Sequence, residues 1–137
     1  KDSFVVMCNY LQDIVLIEKL FHKMGISCGV IQGSVPAEKR LDIVNELQGG
    51  KVRALICQIR TAGVGFNITK ANTMIFYSNT YSLIDREQAE NRTHRIGTTG
   101  TCLYIDLVAQ GTVDENFVHA LRSKKSMAEF LQTLANK

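Results

Sequence analysis

Apolar residues along the chain follow two alternating rhythms. Phe4-Val5-Val6-Met7-Cys8 is an unbroken apolar run, the pattern of a strand covered on both faces. Between Leu11 and Met24 the residues Leu11, Ile14, Ile17, Leu20, Phe21 and Met24 recur at helical spacing, and Gly25 is placed to end that helix. Residues 26–31 read as a second strand. Ser34-Val35-Pro36 then starts a helix, with a hydroxyl near the N-cap and proline in the first turn. Leu41, Val44 and Leu47 are its expected buried face, and Gly49-Gly50 its stop. Strands are predicted over 52–59, 73–77 and 101–108, with a helix over 82–95 between the last two. Two amphipathic helices, 113–122 and 126–135, are predicted to follow.

Strands separated by helix-length segments require crossover connections. The predicted fold is therefore α/β: a doubly wound, mainly parallel sheet of about five or six strands with helices on both faces. Ligands of such sheets gather beyond the carboxyl ends of the strands, so the segments just after each strand are where chemistry is expected.

Composition narrows the picture only modestly. The 137 residues suffice for one layered domain, and 45% hydrophobic with 21% charged residues is ordinary globular usage. A net charge of +3 is too mild to mark a nucleic-acid binder by itself. No apolar run approaches the roughly 18 residues of a membrane span. The four cysteines, Cys8, Cys28, Cys57 and Cys102, show no CxxC spacing, and the three histidines complete no zinc pattern. Reduced, buried cysteines of an intracellular protein are expected, and no metal site. The chain opens on Lys1 directly ahead of a strand, as a piece cut from a longer protein would.

Four post-strand segments carry candidate chemistry. In Thr61-Ala62-Gly63-Val64-Gly65-Phe66-Asn67-Ile68-Thr69, two glycines among small and hydroxylated residues let backbone amides approach a phosphate or sugar, although such a turn can equally be structural. No Gly-Lys-Ser/Thr phosphate loop occurs anywhere in the chain. In Gln88-Ala89-Glu90-Asn91-Arg92-Thr93-His94-Arg95-Ile96-Gly97, helical spacing puts Gln88, Arg92 and Arg95 on one stripe with Asn91 beside them. That stripe is either a fork for phosphate oxygens or a solvated face, since Glu87 and Glu90 can pair locally. Arg86 falls off it by helical phase and is expected to tolerate alanine. Gly33-Ser34-Val35-Pro36-Ala37-Glu38-Lys39-Arg40 brings a strand end into a helix N-terminus, suited to a backbone phosphate or to simple capping. Cys8-Asn9-Tyr10 is polar and aromatic where the sheet edge opens.

Taken in order, these segments resemble the second RecA-like lobe of a superfamily-two helicase of the Swi/Snf type. Residues 4–10 resemble its motif IV, 33–40 its Gly-Ser-x-Pro-x-x-x-Arg segment, 60–69 its motif V, and 88–97 its motif VI, QAxxRxxRIG. Residues 104–115 resemble the strand and helix that close the lobe. The resemblance covers nearly all of 1–137, with 113–137 as closing helices, and implies an ATP site shared with a first lobe. That first lobe, outside this chain, would carry the phosphate loop and the acidic residues that hold Mg2+ and activate water. This lobe would supply Arg92 and Arg95 as arginine fingers, with Gln88 orienting their helix or touching phosphate. Gly63, Gly65 and Asn67 would lie at the nucleotide, and Asn9, Ser34, Ile59 and Thr61 on the DNA backbone.

Two positions depart from the family pattern. Thr98 stands where glutamine often follows RIG, and Ile59 stands where motif V usually has a hydroxyl, so Thr61 or backbone amides would have to reach the phosphate. The resemblance thus implies a motor lobe of a DNA-stimulated ATPase on duplex DNA, inactive alone, in the bacterial or phage-infected cell or the eukaryotic nucleus. The absence of long insertions favours a compact viral, phage or bacterial relative. The alternatives are an RNA or single-strand helicase lobe, and a non-catalytic interaction module with the same fold.

Overall fold

The computed structural model describes residues 2–63, 68, 70–92 and 102–136. The five strands are β1 (Phe4–Cys8), β2 (Cys28–Ile31), β3 (Ala54–Gln58), β4 (Thr73–Phe76) and β5 (Leu103–Asp106). They form one sheet in the order β2-β3-β1-β4-β5, and every neighbouring pair is parallel. Between them run α1 (Leu11–Met24), α2 (Ala37–Gln48), a 3₁₀ turn (Ile59–Gly63) and α3 (Leu83–Glu90), and the long α4 (Val113–Ala135) closes the chain.

The central strand explains its own apolar run. Val5 and Met7 enter the core on one face with Val44, Leu47, Leu55, Ile59, Met74 and Phe76. Val6 and Cys8 enter the other, against Ile14, Ile17 and Phe21 of α1. A strand apolar on only one face could not serve there. Gly25 and Gly29 are required by geometry. Gly25 ends α1 in the left-handed region at φ 72°, and Gly29 in β2 lies so close to α2 that a Cβ would stand 2.6 Å from the Ile43 methyl.

α1, α2 and α4 differ from expectation. Leu41 is 56% exposed, and Ile43 takes its place against the core beside Val44 and Leu47. Of the apolar positions of α1, only Ile14, Ile17 and Phe21 are buried; Leu11, Leu20 and Met24 face outward. Pro36 is the N-cap of α2 rather than a first-turn residue, and no side chain caps that end. The two expected C-terminal helices are one, because Ser123-Lys124-Lys125 contains no glycine or proline to break it.

All four cysteines are free, and Cys8 and Cys57 are fully buried. Burial pushes both thiols up to about 12, with the charge of Asp13 adding at Cys8 and Cys8 itself adding at Cys57. Cys28 is raised for the same reason, with Glu18 adding. The folded state therefore holds these protons where the unfolded chain, with thiols near 9.0, releases them. Stability from this source is complete below pH 9 and declines as pH rises towards 12. At pH 8 an aromatic disulfide reagent is expected to label Cys28 and Cys102 in the native chain, and Cys8 and Cys57 only in denaturant. Equal labelling rates at all four would disprove this.

Candidate nucleotide and nucleic-acid site

Parallel strands bring all five carboxyl ends to one edge of the sheet. The segments after β2, β3 and β1 follow neighbouring strands, so Ser34, the 3₁₀ turn and Asn9 lie side by side across roughly 10 Å, two strand spacings. They are also tied together. The Gly33 amide donates to Gln58 Oε1 at 3.2 Å, joining the loop after β2 to the end of β3. Arg40 reaches back from α2, its Nε donating to the Val35 carbonyl at 2.8 Å and its Nη2 to that of Gly33 at 3.3 Å. Ser34, held in this clamp, is exposed, and its hydroxyl accepts from Gln32 Nε2 rather than from a helix amide. The Asn9 amide donates to Ser78 Oγ at 2.7 Å, so the residue after β4 positions the residue after β1.

Ile59 and Thr61 are placed differently from their neighbours. Ile59 is a core residue, and the Thr61 hydroxyl is buried, donating to the Gln58 carbonyl at 2.7 Å. The turn has no side chain to spare at these two positions, so what they offer a ligand is backbone. Between them Arg60 is exposed, a cation at the sheet edge.

The expected long helix of the second segment is short. Ser82 caps α3, its hydroxyl accepting from the Asp85 amide at 3.2 Å. The helix ends at Glu90, and the next amides reach back to Glu87 and Ala89 in a tightened turn. Gln88 is therefore on the helix and exposed, whereas Arg92 lies just beyond it and is 8% exposed. Arg92 Nε donates to the Gln88 carbonyl at 3.1 Å, which supplies a cationic partner to the helix C-terminus. The Arg92 carbonyl accepts from the Ile68 amide at 2.7 Å, a main-chain link between the segment carrying the glycine turn and the segment carrying the arginine. Gly63 ends the 3₁₀ turn, which packs against α3. Gly65, Asn67 and Arg95 lie outside the described residues.

Arg86 overturns its expected role. Expected to tolerate alanine, it is 6% exposed and ion-paired. Its Nη1 and Nη2 donate to the two carboxylate oxygens of Asp106 at 2.6 and 3.2 Å, and Nη1 also meets Asn79 Oδ1 at 3.1 Å. Asn79 Nδ2 donates to Asp106 Oδ1 at 2.7 Å, and the guanidinium lies 3.5 Å over the Phe76 ring. Its Nε has no hydrogen-bond partner among the described residues, the Glu90 carboxylate standing 3.8 Å away. Helical phase did put Arg86 off the Gln88 stripe; the opposite side of α3 is the side that faces the sheet. The signal in the sequence was Asp106, a carboxylate ending an apolar strand, where a buried cation is the economical partner.

A groove of about 480 Å³ opens between the ends of β1, β4 and β5, lined by Tyr10, Asp13, Tyr77, Ser78, Val108 and Asp114 among others. It is the crevice where the strand order reverses. Its two carboxylates, Asp13 and Asp114, make it a poor seat for a bare phosphate.

Residues 1–97 match the family described as the helicase conserved C-terminal domain. Over 130 residues, 94% of this chain, the sequence is 30% identical to the DNA repair and recombination protein RDH54 of Saccharomyces cerevisiae (strain YJM789), of which it covers 14%. Over 100 residues, 72% of this chain, it is 34% identical to the chromatin-remodeling ATPase INO80 of Cryptococcus neoformans, of which it covers 6%. The chain thus spans about a seventh or less of these relatives. Both are eukaryotic, which lends no support to a compact viral, phage or bacterial relative. A solved structure of the C-terminal part of the Fun30 ATPase domain superposes with a TM-score of 0.82 over 88% of this chain and 38% of that one, at 21% identity. The chain belongs to the helicase conserved C-terminal domain family, as a RecA-like second lobe of the Swi/Snf type.

Proposed function

We propose that this chain is the second motor lobe of an ATP-dependent DNA translocase, supplying arginine to the nucleotide phosphates and gripping the DNA backbone. The observation that carries the reading is the main-chain link between Arg92 and Ile68, which ties the end of α3 to the segment leading from the 3₁₀ turn, at the sheet edge that also presents Asn9, Ser34 and Arg60. A single rigid edge with a cationic fork at one place and backbone-directed donors beside it can couple phosphate chemistry to a polyanion track. ATP arrives with Mg2+, whose ligands belong in this reading to the acidic residues of the first lobe. Gly63, Gly65 and Asn67 lie against the nucleotide, and Ile59 and Thr61 contribute through their amides. The relatives' names, a DNA repair and recombination protein and a chromatin-remodeling ATPase, support a DNA track and a place inside the cell.

Alone, the chain is expected not to hydrolyse ATP, because without a phosphate loop the arginines have no positioned substrate. It should bind fluorescent duplex DNA weakly and without sequence preference. Affinity should fall about ten-fold or more between 50 and 200 mM salt, as for a few phosphate contacts. Ser34→Ala with Asn9→Ala should weaken every duplex alike. Salt-independent binding, strong sequence preference, or robust ATP turnover that survives Arg92→Ala would overturn the reading. One observation favours a single-strand track instead: Tyr10 and Tyr77, 45% and 40% exposed, both line the groove and offer stacking faces. Tighter binding of single strands than of duplex, lost with Tyr77→Ala, would decide for it.

A further inference from the structure

The proposed role of Arg92 depends on where α3 ends and how the helix is rotated, and the anchors of α3 are unevenly built. At its start Ser82 caps it and the Tyr81 carbonyl accepts from Lys124 of α4. At its end the Tyr104 hydroxyl donates to the Glu90 carbonyl at 3.1 Å, and Lys125 pairs with the Glu90 carboxylate at 3.1 Å. Arg86, in the middle, is held in a different manner. Asp106 and Phe76 are the last residues of β5 and β4 and are register partners, so the guanidinium is fastened to the ends of two adjacent strands at once. The fork to Asp106 fixes the plane of the guanidinium, Asn79 fixes its edge, and the Phe76 ring covers its face.

Such a contact resists rotation of the helix about its own axis. Caps and terminal pairs hold a helix along its length but leave its roll less determined. Rolling a helix by about 20° moves a side-chain atom some 6 Å from the axis by about 2 Å. A misplacement of about 1 Å at a reacting group can cost about 100-fold in rate.

We infer that Arg86, Asp106 and Asn79 form a rotational lock that sets the roll of α3 and so presents Arg92 to the nucleotide phosphates. Arg86 is a positioning residue in this account, acting through Arg92. The inference rests on the proposed function, which assigns Arg92 to the phosphates.

The test uses the full-length protein with Asn79→Ala, Asp106→Asn and Arg86→Lys, each in wild-type and Arg92→Ala backgrounds. ATP hydrolysis is followed in single turnover at saturating DNA, beside KM for ATP, DNA affinity and melting temperature. Asp106→Asn and Arg86→Lys keep the shape or charge of the site and loosen its geometry, and Asn79→Ala removes only the amide bridge. In the wild-type background kcat is expected to fall about 10- to 100-fold in Asp106→Asn and Arg86→Lys, with KM for ATP and DNA affinity within about two-fold. In the Arg92→Ala background the same substitutions should cost less than about two-fold more, since the group they position is gone. A role in stability alone would give equal losses in both backgrounds, and that result would overturn the lock. So would kcat within about two-fold of wild type in the folded variants, or failure of all three variants to fold. If Arg92→Ala alone keeps wild-type turnover, the assignment of Arg92 falls and the lock with it. A large loss at Arg92 with none at the lock would remove the lock alone.

Discussion

Arg92→Ala in the full-length protein is expected to lower DNA-stimulated ATP turnover by about 10³-fold or more, the scale of an arginine finger in phosphoryl transfer. The loss should fall on kcat rather than on ATP affinity, because a finger guanidinium would neutralise charge that develops during transfer. Arg92→Lys should rescue poorly, since an ammonium keeps the charge without the planar two-pronged donor. The structure adds a cost that spacing alone did not reveal. Arg92 is 8% exposed and its Nε holds the Gln88 carbonyl, so alanine also releases a helix end, at roughly 1–2 kcal/mol of stability. The comparison therefore belongs well below the melting temperature, with folding checked by circular dichroism. The resemblance assigns a loss of the same order to Arg95→Ala. Wild-type single-turnover rates in both alanine variants would end the finger assignment.

Arg86→Ala carries the largest expected effect on stability, about 3 kcal/mol, measured by urea unfolding of this chain. Removing one member of a buried, hydrogen-bonded ion pair leaves the other charge without its partner, and here also strips the cation from the Phe76 face. Asp106 is 24% exposed and recovers part of its hydration, which holds the figure at the lower end of the 3–5 kcal/mol such losses cost. On a domain of this size the melting temperature should drop by about 10 °C. Arg86→Met with Asp106→Asn should lose less than Arg86→Ala, because no charge is then stranded and the apolar stem still covers Phe76. Exposed Arg60→Ala should stay within about 0.5 kcal/mol of wild type. Equal, small losses at Arg86 and Arg60 would show that the pair contributes little.

The exposed Arg60 and the buried Arg86 show how differently the same residue type can be read. Arg60 follows an apolar strand and Arg86 lies among Asp85, Glu87 and Gln88, so local sequence would suggest the reverse of what is found. Arg86 is buried because β5 ends in Asp106 and lies beside β4, which ends in Phe76 and is followed by Asn79. That convergence joins residues 20 or more positions apart with others only 7 away. Ile59 and Thr61 are a similar case. The resemblance made them candidates for the DNA backbone, and the tight 3₁₀ turn buries both side chains.

Periodicity in the sequence determined the bounds of the first strand and the first helix. β1 and α1 begin and end where the apolar run and the helical spacing put them, Phe4–Cys8 and Leu11–Met24, with Gly25 as the stop. Alternating strands and helices determined a parallel sheet, because only crossovers can join them, and the ordered motifs determined the family. Tertiary structure alone decided where α3 stops and which of its arginines faces the sheet. It also decided that Ser78 and Gln58 hold Asn9 and the Ser34 loop in place. Local pattern registers how often apolar residues recur, which settles the type of an element and most of its buried side. It carries no record of which distant polar group waits on that side, and that pairing turned Arg86 from an expected bystander into the anchor of α3.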